Sequence, residues 1–272
     1  MESNSSVTLQ QLDQLLDRMW HDYVSMNPQA CQIHELLTGL GEKVLNDHIA
    51  LRTFDVPKVG IDVLARPFVA AGYVERGRYE FPAKKLLARH YEHPSDRPKI
   101  FVSELRVAEL APEAQAIIHG LVEAIDPART ERLDFCASGR PWSLTHAACE
   151  ALRVHSEYAA WVAAFGFRPN HFTVDVGSLR AFGSIEALNA LLKEHGFVLN
   201  ASGGEVKGSP ATLLEQSSVL ANVIDVPFDD GVHRVPGCYY EFARRYPMAD
   251  GRTYQGFIAS SADRIFESTD KH

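Results

Sequence analysis

A short run around one histidine occurs twice in this chain. In Leu45-Asn46-Asp47-His48-Ile49-Ala50-Leu51-Arg52-Thr53-Phe54 and again in Arg168-Pro169-Asn170-His171-Phe172-Thr173-Val174-Asp175-Val176, a histidine follows Asn or Asn-Asp and sits in an apolar, strand-like segment. Each run leads into a helix-like stretch that stops at a glycine plus an aromatic. These are Gly72-Tyr73, 24 residues beyond His48, and Gly196-Phe197, 25 residues beyond His171. A repeated unit restricts the fold to two like halves packed about a pseudo-twofold seam. Two histidines at equivalent places in those halves point to a metal site at the seam.

The rest of the chain follows the same division. The first seven residues are polar and read as loose. Leu9, Leu12, Leu15, Leu16, Met19, Trp20 and Tyr23 form one stripe of an amphipathic helix. Asn27-Pro28 ends it and starts a second helix that closes near Gly39-Gly41, so residues 8–41 are N-terminal helices. Residues 46–108 read as strand His48 to Phe54, helix Ile61 to Ala71, and strands Tyr73 to Phe81, Leu87 to Glu92 and Lys99 to Val107. Residues 111–166 form a helical insertion. Residues 170–246 repeat the first order: strand His171 to Val176, helix Ile185 to His195, and strands Phe197 to Gly203, Leu213 to Val223 and Gly237 to Tyr246. A tail, 247–272, follows. The fold class is α+β, with both units packed as a single body.

At 272 residues the chain is long enough to bury a full core. A net charge of −8 argues against a nucleic-acid partner, which needs a basic face, but leaves room for a small anionic substrate. No apolar run reaches the length of a membrane span, and MESNSSVTLQQ lacks a basic-then-apolar signal. Cys31, Cys136, Cys149 and Cys238 form no CxxC and read as reduced thiols of a cytoplasmic protein. Oligomeric state is not legible.

Side chains of a strand alternate faces. His48, Ala50 and Arg52 therefore share one face, as do His171, Thr173 and Asp175, and Tyr239, Glu241 and Ala243. Two neutral imidazoles and a carboxylate on one side of a metal leave three positions open. That suits Fe(II) enzymes, although Mn(II), Co(II) and Zn(II) also accept such donors. A lone strand histidine is more often structural; the equivalent places in the repeat reverse that preference for His48 and His171. Aromatic neighbours make Glu241 a buried carboxylate, which needs a cation or a metal.

Arg52 is placed to hold a substrate carboxylate bidentately, or else to pair with Glu104. Glu104, in Phe101-Val102-Ser103-Glu104-Leu105-Arg106-Val107, reads as the first-unit counterpart of Glu241, as a second-layer group or a fourth ligand. Gln216, Ser218 and Tyr239 read as cavity residues for substrate or oxygen. His90 and His93 face opposite ways in a strand and make no chelating pair. His146 and His155 read as solvated, and Cys238 as core.

The ordered set Asn46-Asp47-His48-Ile49-Ala50-Leu51-Arg52-Thr53-Phe54, Val102-Ser103-Glu104-Leu105-Arg106-Val107, Asn170-His171-Phe172-Thr173, Gln216-Ser217-Ser218 and Gly237-Cys238-Tyr239-Tyr240-Glu241-Phe242-Ala243-Arg244-Arg245 resembles the 2-oxoadipate dioxygenase/decarboxylase family. The resemblance spans roughly residues 40 to 250. The repeated unit itself is similar to the βαβββ modules of the vicinal oxygen chelate, or glyoxalase-like, superfamily, which implies a curved mixed sheet around a metal. The family resemblance implies Fe(II) held by His48, His171 and Glu241, and a substrate carboxylate gripped by Arg52. It also implies conversion of 2-oxoadipate and O2 to 2-hydroxyglutarate and CO2, a step of lysine breakdown. Better-known bacterial members continue further after the Tyr-Tyr-Glu-Phe motif, so part of the substrate pocket is expected to be built differently here. Two other functions fit the same fold: a glyoxalase-like divalent-metal isomerase or lyase using Glu104 as a ligand, and a non-catalytic metal- or ligand-binding protein.

Overall fold

A computed structural model describes residues 7–95 and 97–270. The expectation of a loose start falls on residues 1–6, outside the described residues. Val7, the seventh, is buried and donates its N–H to the Ala70 carbonyl. Thr8 and Gln11 close a capping box that starts α1 (Leu9–Met26), whose face of Leu12, Leu15, Met19 and Tyr23 is buried. α2 (Pro28–Gly39) follows at once. Asn27 does not cap it with its side chain, but donates Nδ2–H to the Tyr23 hydroxyl at 2.9 Å.

The first unit runs β1 (Asn46–Phe54), α3 (Ile61–Ala70), β2 (Val74–Phe81), β3 (Leu86–Glu92) and β4 (Lys99–Leu105). The middle section is helical: α4 (Pro112–Glu123), α5 (Pro127–Thr130), α6 (His146–His155) and α7 (Glu157–Phe165). The second unit runs β5 (Pro169–Asp175), α8 (Ile185–Glu194), β6 (Lys207–Ser209), β7 (Leu214–Ser218), β8 (Val223–Phe228), β9 (Gly231–Pro236) and β10 (Tyr239–Arg245). α9 (Ala259–Ile265) and a 3-10 turn, Phe266–Thr269, close the described chain.

Among the described residues, eight strands form one mixed sheet in the order β2-β3-β4-β1-β5-β10-β7-β6. β1 and β5 meet antiparallel at its middle; β4 runs parallel to β1 on one side and β10 parallel to β5 on the other. The halves thus correspond strand for strand about the β1–β5 seam, the α+β architecture expected of two βαβββ units.

Two second-unit strands differ from expectation. Phe197 to Gly203 is not a strand and makes only one isolated bridge, Leu199 to Val219. Gly203 and Gly204 both hold positive φ, 69° and 101°, which turns the chain before a ladder can form. The short β6 takes that place instead. The run Leu213 to Val223 divides as well: β7 ends at Ser218, and Val223 opens a separate hairpin in which β8 pairs with β9.

One face of the sheet packs on helices. Trp20 and Tyr23 of α1 meet Phe172 and Tyr240 with ring centroids 4.9–6.3 Å apart. On the same face, Asn189 of α8 accepts a hydrogen bond from Ser217. The opposite face carries His48, Arg52, His171 and Glu241, and it is covered by the C-terminal segment. Both faces being buried explains why eight of the nine β1 residues are buried.

Candidate metal centre

His48, His171 and Glu241 come from β1, β5 and β10, three consecutive strands. His48 is paired with Thr173 across the seam, and Glu241 is paired with the same Thr173 from the other side. His171 lies two positions along β5. The strand ladder alone therefore brings the three side chains to one spot. Their ligand atoms lie within 4.8 Å of one another, and all three residues are buried. His171 Nε2 stands 3.3 Å from Glu241 Oε2, and His48 Nε2 stands 3.5 Å from Glu241 Oε1. The imidazole rings meet edge to face, 5.5 Å apart at 85°.

Two β-bulges orient the imidazoles. In the β1–β5 ladder, Asn46 pairs with Val174 and His48 with Thr173, so Asp47 is the extra residue of one bulge. Ala50 pairs with His171 and Leu51 with Pro169, so Asn170 is the extra residue of the other. A bulge re-aims a side chain. Here each bulge residue reaches the Nδ1 of the following histidine: Asp47 Oδ1 at 2.7 Å from His48, Asn170 Oδ1 at 3.0 Å from His171. Nδ1–H donates in both, which leaves the Nε2 lone pairs for the site. The Thr173 hydroxyl lies 3.1 Å from His48 Nε2.

The electrostatics suit a cation. Burial holds His48 below its usual value and His171 well below, so both are neutral imidazoles, the ligating form. Burial pushes the Glu241 carboxyl up to about 8, against the hydrogen bond from Gln216. Gln216 Nε2 donates to Glu241 Oε1 at 2.6 Å, while Glu241 Oε2 has no partner. Two imidazoles and the buried Glu241 carboxylate, whose unpartnered Oε2 faces His171, are the donor set of a divalent-metal site and fit a two-His-one-carboxylate iron centre.

Arg52 does not pair with Glu104. The residue is 2% exposed, and its guanidinium rests against Tyr158, Trp161 and Phe266, 5.0–5.4 Å from their ring centres. Nη1 donates to the Thr269 hydroxyl at 3.1 Å; Nε and Nη2 have no hydrogen-bond partner. Such a buried, half-satisfied cation calls for an anion.

Glu104 is the correction. Parallel pairing sets Thr53 against Glu104 and Arg52 against Ser103, so Glu104 points with Thr53 to the helix-covered face. There its Oε2 accepts the Ile61 N–H at 3.0 Å and caps α3. The two parallel ladders also set the true equivalences. His48 pairs with Lys99 and His171 with Tyr239, so Glu241 corresponds to Phe101, and Glu104 to Arg244. Glu104 is neither a metal ligand nor a group behind one, which removes the isomerase reading that used it as a fourth ligand.

Gln216 faces the site as expected, but as the group holding Glu241. Tyr239 lines the cavity, its ring 4.5 Å from His171 and its hydroxyl without a partner. Ser218 is buried on the same face, yet its hydroxyl bonds Ser268 at 2.8 Å. Of the histidines set aside, His90 bonds Tyr79 and Glu92, and His146 stacks on His233 at 3.9 Å.

The C-terminal segment is the part that sequence reasoning missed. Phe257 meets His48 edge-on at 4.8 Å, and Ile265 and Phe266 complete the lining with Phe101. Only a cavity of about 20 Å³ remains beside the three ligands. Outside it, a cavity of about 220 Å³ is lined by Arg52, Lys84, Lys85, Tyr158 and Phe266. Phe266 stands between the two.

Comparisons with known proteins bear on the family and the fold. The model of the 2-oxoadipate dioxygenase/decarboxylase family matches residues 8–136 and 127–253. The chain belongs to this family. A rice 2-oxoadipate dioxygenase/decarboxylase of chloroplasts and amyloplasts is 35% identical, over 94% of this chain and 78% of that protein. The rice hydroxyglutarate synthase solved with 2-oxoadipate superposes with a TM-score of 0.90 at 34% identity, covering 94% of this chain and 91% of that one. A provisionally named hydrolase from Shewanella frigidimarina has a TM-score of 0.87 at 54% identity, covering 91% and 97%. A provisionally named glyoxalase superfamily protein from Ralstonia eutropha shares the fold, with a TM-score of 0.70 at 22% identity over 90% and 85% of the two chains. The 2-oxoadipate dioxygenase/decarboxylase family thus builds on a glyoxalase-like sheet, as its repeated unit implies.

Proposed function

We propose that this chain is an Fe(II)-dependent dioxygenase/decarboxylase that converts 2-oxoadipate and O2 to 2-hydroxyglutarate and CO2. One observation carries the reading: three convergent metal donors share a sheet face with a buried guanidinium that has two unpartnered nitrogens. A metal alone needs no Arg52, and a dicarboxylic acid with a chelating 2-oxo acid end needs both. Family membership and the rice relative solved with 2-oxoadipate support the substrate.

His48, His171 and Glu241 would hold the iron, which supplies O2 activation and a chelating position for the 2-oxo acid. Gln216 holds Glu241 so that its second oxygen faces His171. Arg52 receives the distal carboxylate through Nε and Nη2, and so fixes the chain length of the acid. The Tyr239 hydroxyl donates to a substrate oxygen beside His171. Phe101, Phe257, Ile265 and Phe266 exclude water. A space of about 20 Å³ has room for one water and not for a six-carbon acid, so the Phe266–Thr269 turn moves aside for substrate.

No described helix is long and apolar enough to cross a membrane. The four cysteines are unpaired, which supports a reducing compartment, the cytoplasm.

The test is anaerobic Fe(II) loading followed by O2-consumption assays across 2-oxo acids of four to seven carbons. Equal amounts of O2 used and CO2 released, greatest with 2-oxoadipate, are expected. Metal uptake without O2 consumption on any of these acids would refute the reading.

A further inference from the structure

The two bulge residues behind the histidines occupy equivalent places and carry unequal charge. Asn170 offers His171 a neutral amide oxygen. Asp47 offers His48 a carboxylate, and that carboxylate is itself gripped. Arg245, four residues beyond Glu241 on β10, donates Nε–H to Asp47 Oδ2 at 2.6 Å and Nη2–H to Oδ1 at 2.9 Å. Lys99 Nζ stands 3.9 Å from Oδ2. The Asp47 and Arg245 side chains are 4% and 5% exposed. Arg245 also donates Nη1–H to the carbonyls of Gly256 and Tyr254, at 2.7 and 3.2 Å, the turn that delivers Phe257 onto His48.

We propose that Asp47 and Arg245 are positioning residues that make His48 the stronger of the two imidazole donors. The inference rests on the metal reading above. A carboxylate that accepts Nδ1–H raises the basicity of the far ring nitrogen more than an amide oxygen does, and it locks the ring. Arg245 fixes that carboxylate in the bulge with two hydrogen bonds. It also joins the ligand to the loop that covers it, so one guanidinium holds His48 from behind and Phe257 in front. His171, backed by Asn170, lacks this reinforcement. The pseudo-twofold is kept in the backbone and broken in the charge.

Cobalt(II) binding to the whole chain under anaerobic conditions, followed by visible absorption, tests this without turnover. Asp47→Asn keeps the shape and an acceptor for Nδ1–H. It is expected to weaken cobalt binding about 10- to 100-fold and to shift the ligand-field bands. Asn170→Ser is expected to weaken binding by less than Asp47→Asn. If Asp47→Asn does not fold, Asp47→Asn/Arg245→Gln removes the unpaired buried cation and answers the same question, with thermal melting as the check on folding. Asp47→Asn, or the double variant in its place, binding within about twofold of the natural chain, or Asn170→Ser proving the more damaging, would overturn the inference. A natural chain that takes up no cobalt would instead overturn the metal reading itself.

Discussion

Arg52 Nη1 donates to the Thr269 hydroxyl at 3.1 Å, while the other two guanidinium nitrogens have no partner. The contact joins the first strand of the sheet to the last turn of the described chain, 217 residues away. It makes the C-terminal segment a cover over the residue proposed to select substrate.

Arg52→Met keeps packing against Tyr158 and Trp161 and removes the cation. A charged hydrogen bond to a carboxylate contributes about 2–3 kcal/mol. The kcat/KM for 2-oxoadipate is expected to fall about 100-fold. The value for a 2-oxo acid of equal length without the distal carboxylate should change by less than about threefold, because the lost contact is absent in both enzymes. Steady-state kinetics on both acids checks this; equal losses on the two would remove Arg52 from substrate selection.

Glu104→Gln tests the correction. Its side chain caps α3 on the face away from the ligands, so metal affinity and kcat are expected to stay within about twofold of the natural chain. The amide oxygen can still accept the Ile61 N–H, so the stability change should be within about 1 kcal/mol. A large loss of metal would restore Glu104 to the site. Metal titration and urea unfolding give both readouts.

Which parts of this were legible depended on which quantity decided them. Strand parity placed His48 with Arg52 and Glu241 with Tyr239, because alternation is a local property of the strand. Glu104 failed because motif likeness stood in for inter-strand register. A register is set by pairing with another strand, and moving the match by an odd number of residues reverses the face. Asp47 and Asn170 went unread for a related reason: only the bulges turn them to the histidines, and a bulge shows in a ladder, not in a single strand. The tail was hidden by brevity. Seven residues of α9 are too few to show a helical period, and Phe257-Ile258 and Ile265-Phe266 are apolar pairs too short to mark an element.

Lys207 offers a pH test on β6, two strands from β10, where its charge still acts on Glu241. It is 4% exposed, donates to the Asn200 carbonyl, and burial brings it from an ordinary 10.5 down to about 8. Between those values the unfolded chain binds more protons than the folded one. Stability therefore rises with pH from about 8 to 10.5, by at most about 1.4 kcal/mol per unit from this residue. Below about 8 both states are charged, and the residue adds no slope. Urea unfolding at pH 8, 9 and 10 should show the natural chain gaining on Lys207→Met as pH rises. Parallel curves would contradict the assignment.

The most direct measurement is O2 consumption by the Fe(II)-loaded chain with 2-oxoadipate, run beside Glu241→Ala and His171→Ala. One CO2 and one 2-hydroxyglutarate are expected for each O2 in the natural chain. Loss of iron and of turnover is expected in both variants, with their melting behaviour retained. Full iron occupancy and turnover in either variant would contradict this.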